Sequence, residues 1–215
     1  MKLIIRKEIP EDYRAVERLT REAFWNHYAP GCSEHYLAHI LRESEAFVNE
    51  LDFVAEKDGK IVGNIMYTRA QVRGDDQAVH PVLCFGPVSV LPECQGQGIG
   101  TKLIEHTKRV AKGLGFTAII IYGDPEYYKR VGFVPAEQFS IGTSWGTYAA
   151  SLLACELEPG ALNGCAGMFY EDDIYDLDEQ KAEAFDREFE PKEKREGLPS
   201  QERLAYLVSQ SKPRK

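Results

Sequence analysis

The apolar residues of this chain change period several times, and each change marks an element. Leu3 to Arg6 reads as a short strand. Pro10-Glu11-Asp12 then opens a helix with apolar positions Tyr13, Val16, Leu19, Ala23 and Phe24, spaced as one helical face. The stretch 26–33 breaks that helix, and Ser33 is placed to cap a second one through Leu37, Ile40 and Leu41. Phe53 to Glu56 and Ile61 to Tyr67 are two strands around Lys57-Asp58-Gly59-Lys60, a hairpin signal. Gly74-Asp75-Asp76 is a turn, and Val82 to Val90 is another strand. A glycine-rich loop, a helix over about 99–112 and a buried strand from Thr117 to Tyr122 follow. A short helix is expected over 125–131, then Phe133-Val134 and a late strand from Leu152 to Leu157.

The pattern weakens after that. Residues 175–195 read as a charged helix docking by Leu177, Ala184, Phe185 and Phe189. Lys192 to Pro199 is linker-like, and Glu202 to Val208 forms a last short helix. Helices, a hairpin and a strand–loop–helix–strand unit together predict an α/β sheet with antiparallel and parallel pairs.

Composition narrows the class. At 215 residues, 43% of them apolar, the chain can bury a core without staples, so fibrous, disordered and mini-scaffold readings are excluded. The net charge is −8, and residues 171–196 alone carry −7. No basic stripe appears, so nucleic acid is not an expected partner. The acidic excess suits a cationic substrate, and a solvated helix face explains it equally well. The five cysteines form no CxxC pair and no zinc spacing, so no metal is expected. No run approaches the ~18 apolar residues of a membrane span, and the start has no signal-peptide core. A reduced, cytoplasmic protein without membrane contact is expected.

The sharpest chemistry lies at Val88-Ser89-Val90-Leu91-Pro92-Glu93-Cys94-Gln95-Gly96-Gln97-Gly98-Ile99-Gly100-Thr101-Lys102. A strand enters a loop with glycines at alternate positions, and the loop enters a helix. Helix N-termini offer unpaired N–H groups and partial positive charge, and glycines let the backbone approach an anion closely. The order is wrong for a P-loop, and Thr101 stands where a dinucleotide fingerprint needs its third glycine. What fits is Gln-x-x-Gly-x-Gly on Gln95, Gly98 and Gly100.

This segment resembles the coenzyme-A loop of the GCN5-related N-acetyltransferases, the GNAT superfamily. Tyr127-Tyr128-Lys129-Arg130-Val131-Gly132-Phe133 is similar to the family's second box, aromatic-Tyr-x-x-x-Gly-Phe, in the expected order and spacing. The clear likeness covers about residues 82–135. It implies a mixed, mainly antiparallel twisted sheet whose fourth and fifth strands splay apart, flanked by helices. Residues 1–169 would form the acetyltransferase domain and 170–215 an acidic, helical extension. Gly86-Pro87 inside the fourth strand suits the splay, since proline cannot donate to a ladder. Acetyl-CoA would be the co-substrate, its pantetheine arm on Val88, Ser89 and Val90 and its pyrophosphate on Gln95, Gly96, Gln97, Gly98, Ile99, Gly100 and Thr101. Tyr128 would be the acid that protonates the departing thiolate.

The implied activity is direct acetyl transfer, in a ternary complex, to a primary amine on a small molecule or a protein. The alternative is a non-catalytic acyl-CoA sensor or interaction module on the same fold. Homodimerisation is left open. The base is open among Glu56, His80 and Asp124. Trp25-Asn26-His27-Tyr28 and Ser144-Trp145-Gly146 are the expected acceptor-side segments. Lys102, Lys108, Arg109 and Lys112 are candidates for the coenzyme's 3′-phosphate.

Overall fold

The computed structural model describes residues 2–214. The first strand, β1 (Leu3–Lys7), leads through a turn into α1 (Tyr13–Phe24), and α2 (Glu34–Leu41) follows. The hairpin comes next as β2 (Phe53–Lys57) and β3 (Lys60–Gly74), then β4 (Val79–Val90) and α3 (Ile99–Gly113). Beyond α3 lie β5 (Ala118–Tyr122), α4 (Pro125–Tyr128) and β6 (Val134–Pro135). Four more strands are β7 (Ile141–Thr143), β8 (Thr147–Tyr148), β9 (Leu152–Glu156) and β10 (Gly167–Tyr170). The chain ends with α5 (Glu179–Asp186), α6 (Pro199–Ser209) and β11 (Lys212–Pro213).

The main sheet has the order β1-β2-β3-β4-β5-β9-β6. It is the mixed, mainly antiparallel sheet expected. Its β4–β5 pair is parallel and registers at Leu83↔Ile119, before β4 reaches Gly86-Pro87. β10 extends the sheet differently. It runs antiparallel to the far end of β3, with Phe169 opposite Val72, and parallel to β7, with Phe169 opposite Thr143.

Two compact units divide the chain. One comprises Met1–Tyr67, Gly86–Thr107 and Asp173–Glu202; the other comprises Thr68–Phe85, Lys108–Asp172 and Arg203–Lys215. In the first, Val16 and Leu19 of α1 and Leu37, Ala38 and Leu41 of α2 are buried, as their helical spacing predicts. Met66 joins the α2 residues, and Phe47, Ile174, Tyr175 and Leu177 pack on that cluster. In the second, Ile119, Ile120 and Ile121 of β5 are all buried, the run expected of a strand covered on both faces. Antiparallel β9 places Ala154 opposite Ile120.

Two differences from the sequence pattern have physical causes. β3 extends past Tyr67 to Gly74 because β10 pairs with its far end, a long-range partner that local periodicity does not reveal. The charged helix shrinks to Glu179–Asp186, since Phe185 is the last fully covered apolar residue before the charged stretch ending at Pro199. Its buried residues are Ala182 and Phe185; Ala184 is exposed.

Candidate active site

The coenzyme loop is built in the first unit. β4 runs into a short turn at Pro92–Cys94, and the chain then rises into α3. Gly96 and Gly98 adopt φ of +71° and +76°, which explains glycine at both. A Cβ at either would meet nothing within 4 Å, so the backbone there lies open to a ligand. The Gly98 carbonyl accepts from the Lys102 N–H at 3.0 Å, fixing the first turn of α3. Beneath it, β3 makes a close approach at Gly63. A Cβ there would sit 3.0 Å from Leu103 Cδ1 and 3.2 Å from Ile99 Cγ2 and the Ser89 carbonyl oxygen. The helix start is therefore seated hard on the sheet.

The side chains near the loop mostly hold it in shape. Gln95 Nε2 donates to the Val90 carbonyl at 3.1 Å, tying the loop to the strand that feeds it. Gln97 Nε2 donates to the Glu93 carbonyl at 3.2 Å. Ser89 is buried, and its hydroxyl donates to Thr20 Oγ1 at 3.1 Å, while Val88 and Val90 are partly exposed. Ile99 and Gly100 are buried, and Thr101 is partly exposed. Lys57 and Lys60, read in the sequence only as the ends of the hairpin turn, face the same loop. Lys57 Nζ donates to Gln97 Oε1 at 3.2 Å, and Lys60 pairs with Glu93 at 3.3 Å. Only the hairpin register brings them there.

Tyr128 lies in the second unit, at the end of α4. Asp124 caps that helix, its carboxylate accepting from the Glu126 N–H at 2.9 Å, and Pro125 occupies the first turn, as the sequence predicts. The half-buried Tyr128 ring packs against Phe85 and Phe133, with centroids 5.9 and 5.7 Å away. Tyr127 is also half-buried; burial raises its phenol pKa, and Arg130 stands 5.1 Å over the ring. Tyr127 is thus a packing residue.

Two of the three base candidates named from sequence, Glu56 and Asp124, have other employment. Glu56 accepts from Arg6 Nε at 2.9 Å. Asp124 carries the α4 cap and a two-pronged bond from Arg203 at 2.8 and 2.9 Å; Arg203, the larger influence, and the cap both hold its pKa down. His80 Nε2 is enclosed without a hydrogen-bond partner beside the Gly74 turn. Lys112 pairs with Glu158 at 3.2 Å, and Lys108 donates to the Val131 carbonyl at 2.8 Å. Lys102 is exposed in the first turn of α3.

The two acceptor-side segments differ. Trp25 Nε1 and Asn26 Nδ2 both donate to the Glu193 carbonyl, at 2.9 and 3.0 Å, so this pair anchors the linker. A cavity of about 500 Å³ beside Trp25 is walled partly by Ala182, Glu183 and Asp186, and it shares no residue with the loop or with Tyr128. In contrast, Trp145 is 77% exposed, and its ring lies 6.4 Å from that of Tyr122 at the end of β5. Sequence reading passed over Glu171, just after β10. Burial raises its carboxyl pKa to about 7, and its charge acts on Tyr122.

A parallel β4–β5 pair, with β4 feeding a glycine loop and a long helix, is the architecture of an acetyltransferase of the GNAT class. Residues 49–135 match the Acetyltransferase (GNAT) domain family, and the chain carries that domain. It is similar to the uncharacterized N-acetyltransferase YhbS of Escherichia coli (strain K12), 29% identical over 167 residues, which are 77% of this chain and 94% of that protein. The crystal structure of Escherichia coli YhbS in complex with CoA superposes with a TM-score of 0.73 at 26% identity, over 82% of this chain and 93% of that one. A GNAT acetyltransferase from Brucella melitensis in complex with acetyl-CoA gives 0.64 at 28% identity, over 81% and 98%. The GNAT acetyltransferase domain is thus present, and the relatives that span most of the chain carry the name N-acetyltransferase.

Proposed function

We propose that the chain transfers the acetyl group of acetyl-CoA directly to a primary amine in a ternary complex. The observation that carries this reading is the open backbone of Gly96 and Gly98 at the start of α3. There the N–H groups of Gln97, Gly98, Ile99, Gly100 and Thr101 would hold the pyrophosphate, helped by the helix dipole and Lys57. Gln95 acts by tethering the loop to Val90. The pantetheine arm would lie along Val88–Val90. The relatives crystallised with CoA and acetyl-CoA support the same co-substrate.

The chemistry divides among few groups. The loop orients the thioester and keeps the coenzyme's charge paired with N–H donors. A backbone N–H in Val88–Val90 would stabilise the oxyanion as the amine nitrogen attacks. The C–S bond breaks with its electron pair on sulfur, and the Tyr128 hydroxyl supplies the proton that makes the free thiol.

A substitution at Thr101 tests the loop. An acidic residue in the first turn suits a helix, so Thr101→Glu should fold. It also sets a carboxylate against the pyrophosphate; like charges in contact cost several kcal/mol, so affinity for coenzyme A should fall ~10-fold or more. Calorimetric titration with coenzyme A reads this directly. Wild-type affinity in folded Thr101→Glu would remove the loop from the coenzyme site.

A further inference from the structure

Glu171 has no hydrogen bond or ion pair among the described residues, although it is half-buried. An uncompensated carboxylate in such a place is costly and marks a site where charge is needed. Its position is firmly held. β10, which ends one residue earlier, is pinned on one edge by β3, with Tyr170 opposite Gln71, and on the other by β7. Phe169 is buried and packs 6.0 Å from the Tyr122 ring, and Tyr122 in turn meets the exposed Trp145. Tyr122 is followed by Gly123, across which the Tyr128 ring lies. The lone carboxylate, whose charge reaches Tyr122, the exposed aromatic face and the proposed acid therefore share one unit.

We propose that Glu171 is the catalytic base, receiving the acceptor's ammonium beside Trp145 and Tyr122 and taking its proton. The acceptor class is then a cationic amine, attracted by an aromatic face and a carboxylate together. The inference rests on the acetyl-CoA reading above. The ammonium gives one proton to Glu171, and the neutral nitrogen forms the new C–N bond with the thioester carbon. Collapse of the tetrahedral intermediate breaks the C–S bond, and the proton lost by nitrogen equals the one Tyr128 delivers to sulfur. Glu171 returns its proton to water, so the products are amide, thiol and one proton. A carboxyl lifted to about 7 by burial is matched to a base working near neutrality. The neighbouring Tyr122 phenol is held protonated, chiefly by burial and then by the charge of Glu171.

The test compares two nucleophiles. Benzylamine is an ammonium at neutral pH and needs a base, whereas hydroxylamine is largely unprotonated and does not. Thiol release from acetyl-CoA is measured with each, for wild type and Glu171→Gln, beside coenzyme A affinity and melting temperature. Glu171→Gln keeps the shape and removes a desolvated charge, so its melting temperature should not fall. Its kcat should drop ~10²–10⁴-fold with benzylamine, and about tenfold at most with hydroxylamine. Undiminished turnover of benzylamine, or an equal loss on both probes, overturns the assignment. So does a wild type that binds coenzyme A yet acetylates neither probe. A wild type that does not bind coenzyme A overturns the coenzyme reading itself and this proposal with it.

Discussion

A Cβ on Gly123 would collide with Cε2 and Cδ2 of Tyr128, so the place of the ring depends on a neighbour without a side chain. Phe85 and Phe133 hold the ring from other sides. Tyr128→Phe keeps all of that packing and removes only the hydroxyl. If the hydroxyl protonates the thiolate, turnover should fall by up to ~10²–10⁴-fold, with coenzyme A affinity unchanged. Steady-state kinetics beside a coenzyme titration checks this; full activity in folded Tyr128→Phe removes the hydroxyl from the mechanism. Tyr128 and Gln95–Thr101 are legible in sequence because each belongs to a contiguous motif whose spacing is local. Lys57 and Glu171 are not. Lys57 meets Gln97 only through the hairpin register, and the character of Glu171 comes from burial by distant strands.

The hairpin and the amphipathic helices were readable because their signals, Asp58-Gly59 and the stripes of α1 and α2, are local. β7, β8 and β11 are two or three residues long and exist through partners far along the chain, so no local pattern announced them. The acidic groups among the first elements were equally silent. Glu8, just after β1, holds Arg42 at the end of α2 by bonds of 2.8 and 3.0 Å. Asp52, just before β2, accepts from Asn64 of β3 at 3.2 Å and shares a hydrogen bond with Glu8. Burial, then Glu8, push its carboxyl up to about 9, so the fold holds Asp52 as the neutral acid. Below the ordinary carboxylate pKa both folded and unfolded chains are protonated, and the full stability is present. As pH rises, the unfolded chain ionises first and stability declines, until the folded carboxyl itself ionises near 9. Asp52→Asn offers the same donor and acceptor without that titration. Its stability relative to wild type should therefore grow from about pH 4 toward pH 9. Urea denaturation at several pH values checks this; a difference independent of pH would mean that Asp52 is ionised in the fold.

At the scale of the whole molecule, the acidic C-terminal region is part of both units. Residues 173–202 belong to the first and 203–215 to the second. In the first unit, Asp186 binds Arg21 Nε at 2.6 Å, and Arg21 is 3% exposed. Phe185 packs on Tyr36 and His39 of α2, with centroids 5.6 and 4.5 Å away. In the second, Arg203 grips the Asp124 cap, and Arg214 binds Asp75 and the Ser140 carbonyl. Two deletions separate these contributions. Ending the chain after residue 202 removes the ion pairs of Arg203, Lys212 and Arg214, together with the buried Leu207 and the β11–β8 pairing. Surface ion pairs contribute ~0–1 kcal/mol each, so with the lost burial this deletion should cost a few kcal/mol. Ending it after residue 172 also strips Asp186, Phe185 and Phe189 from α1 and α2 and should cost several kcal/mol more. Asp186→Ala in the full chain leaves Arg21 covered without its partner, at a cost of ~3–5 kcal/mol. Both deletions keep Glu171 and the coenzyme loop, so any form that remains folded should still bind coenzyme A. Denaturant titration with and without coenzyme A measures both effects. Equal stability of the two deletions would show that Asp186 and Phe185 contribute nothing to the first unit. Loss of coenzyme binding in a folded deletion would make the C-terminal region a builder of the site.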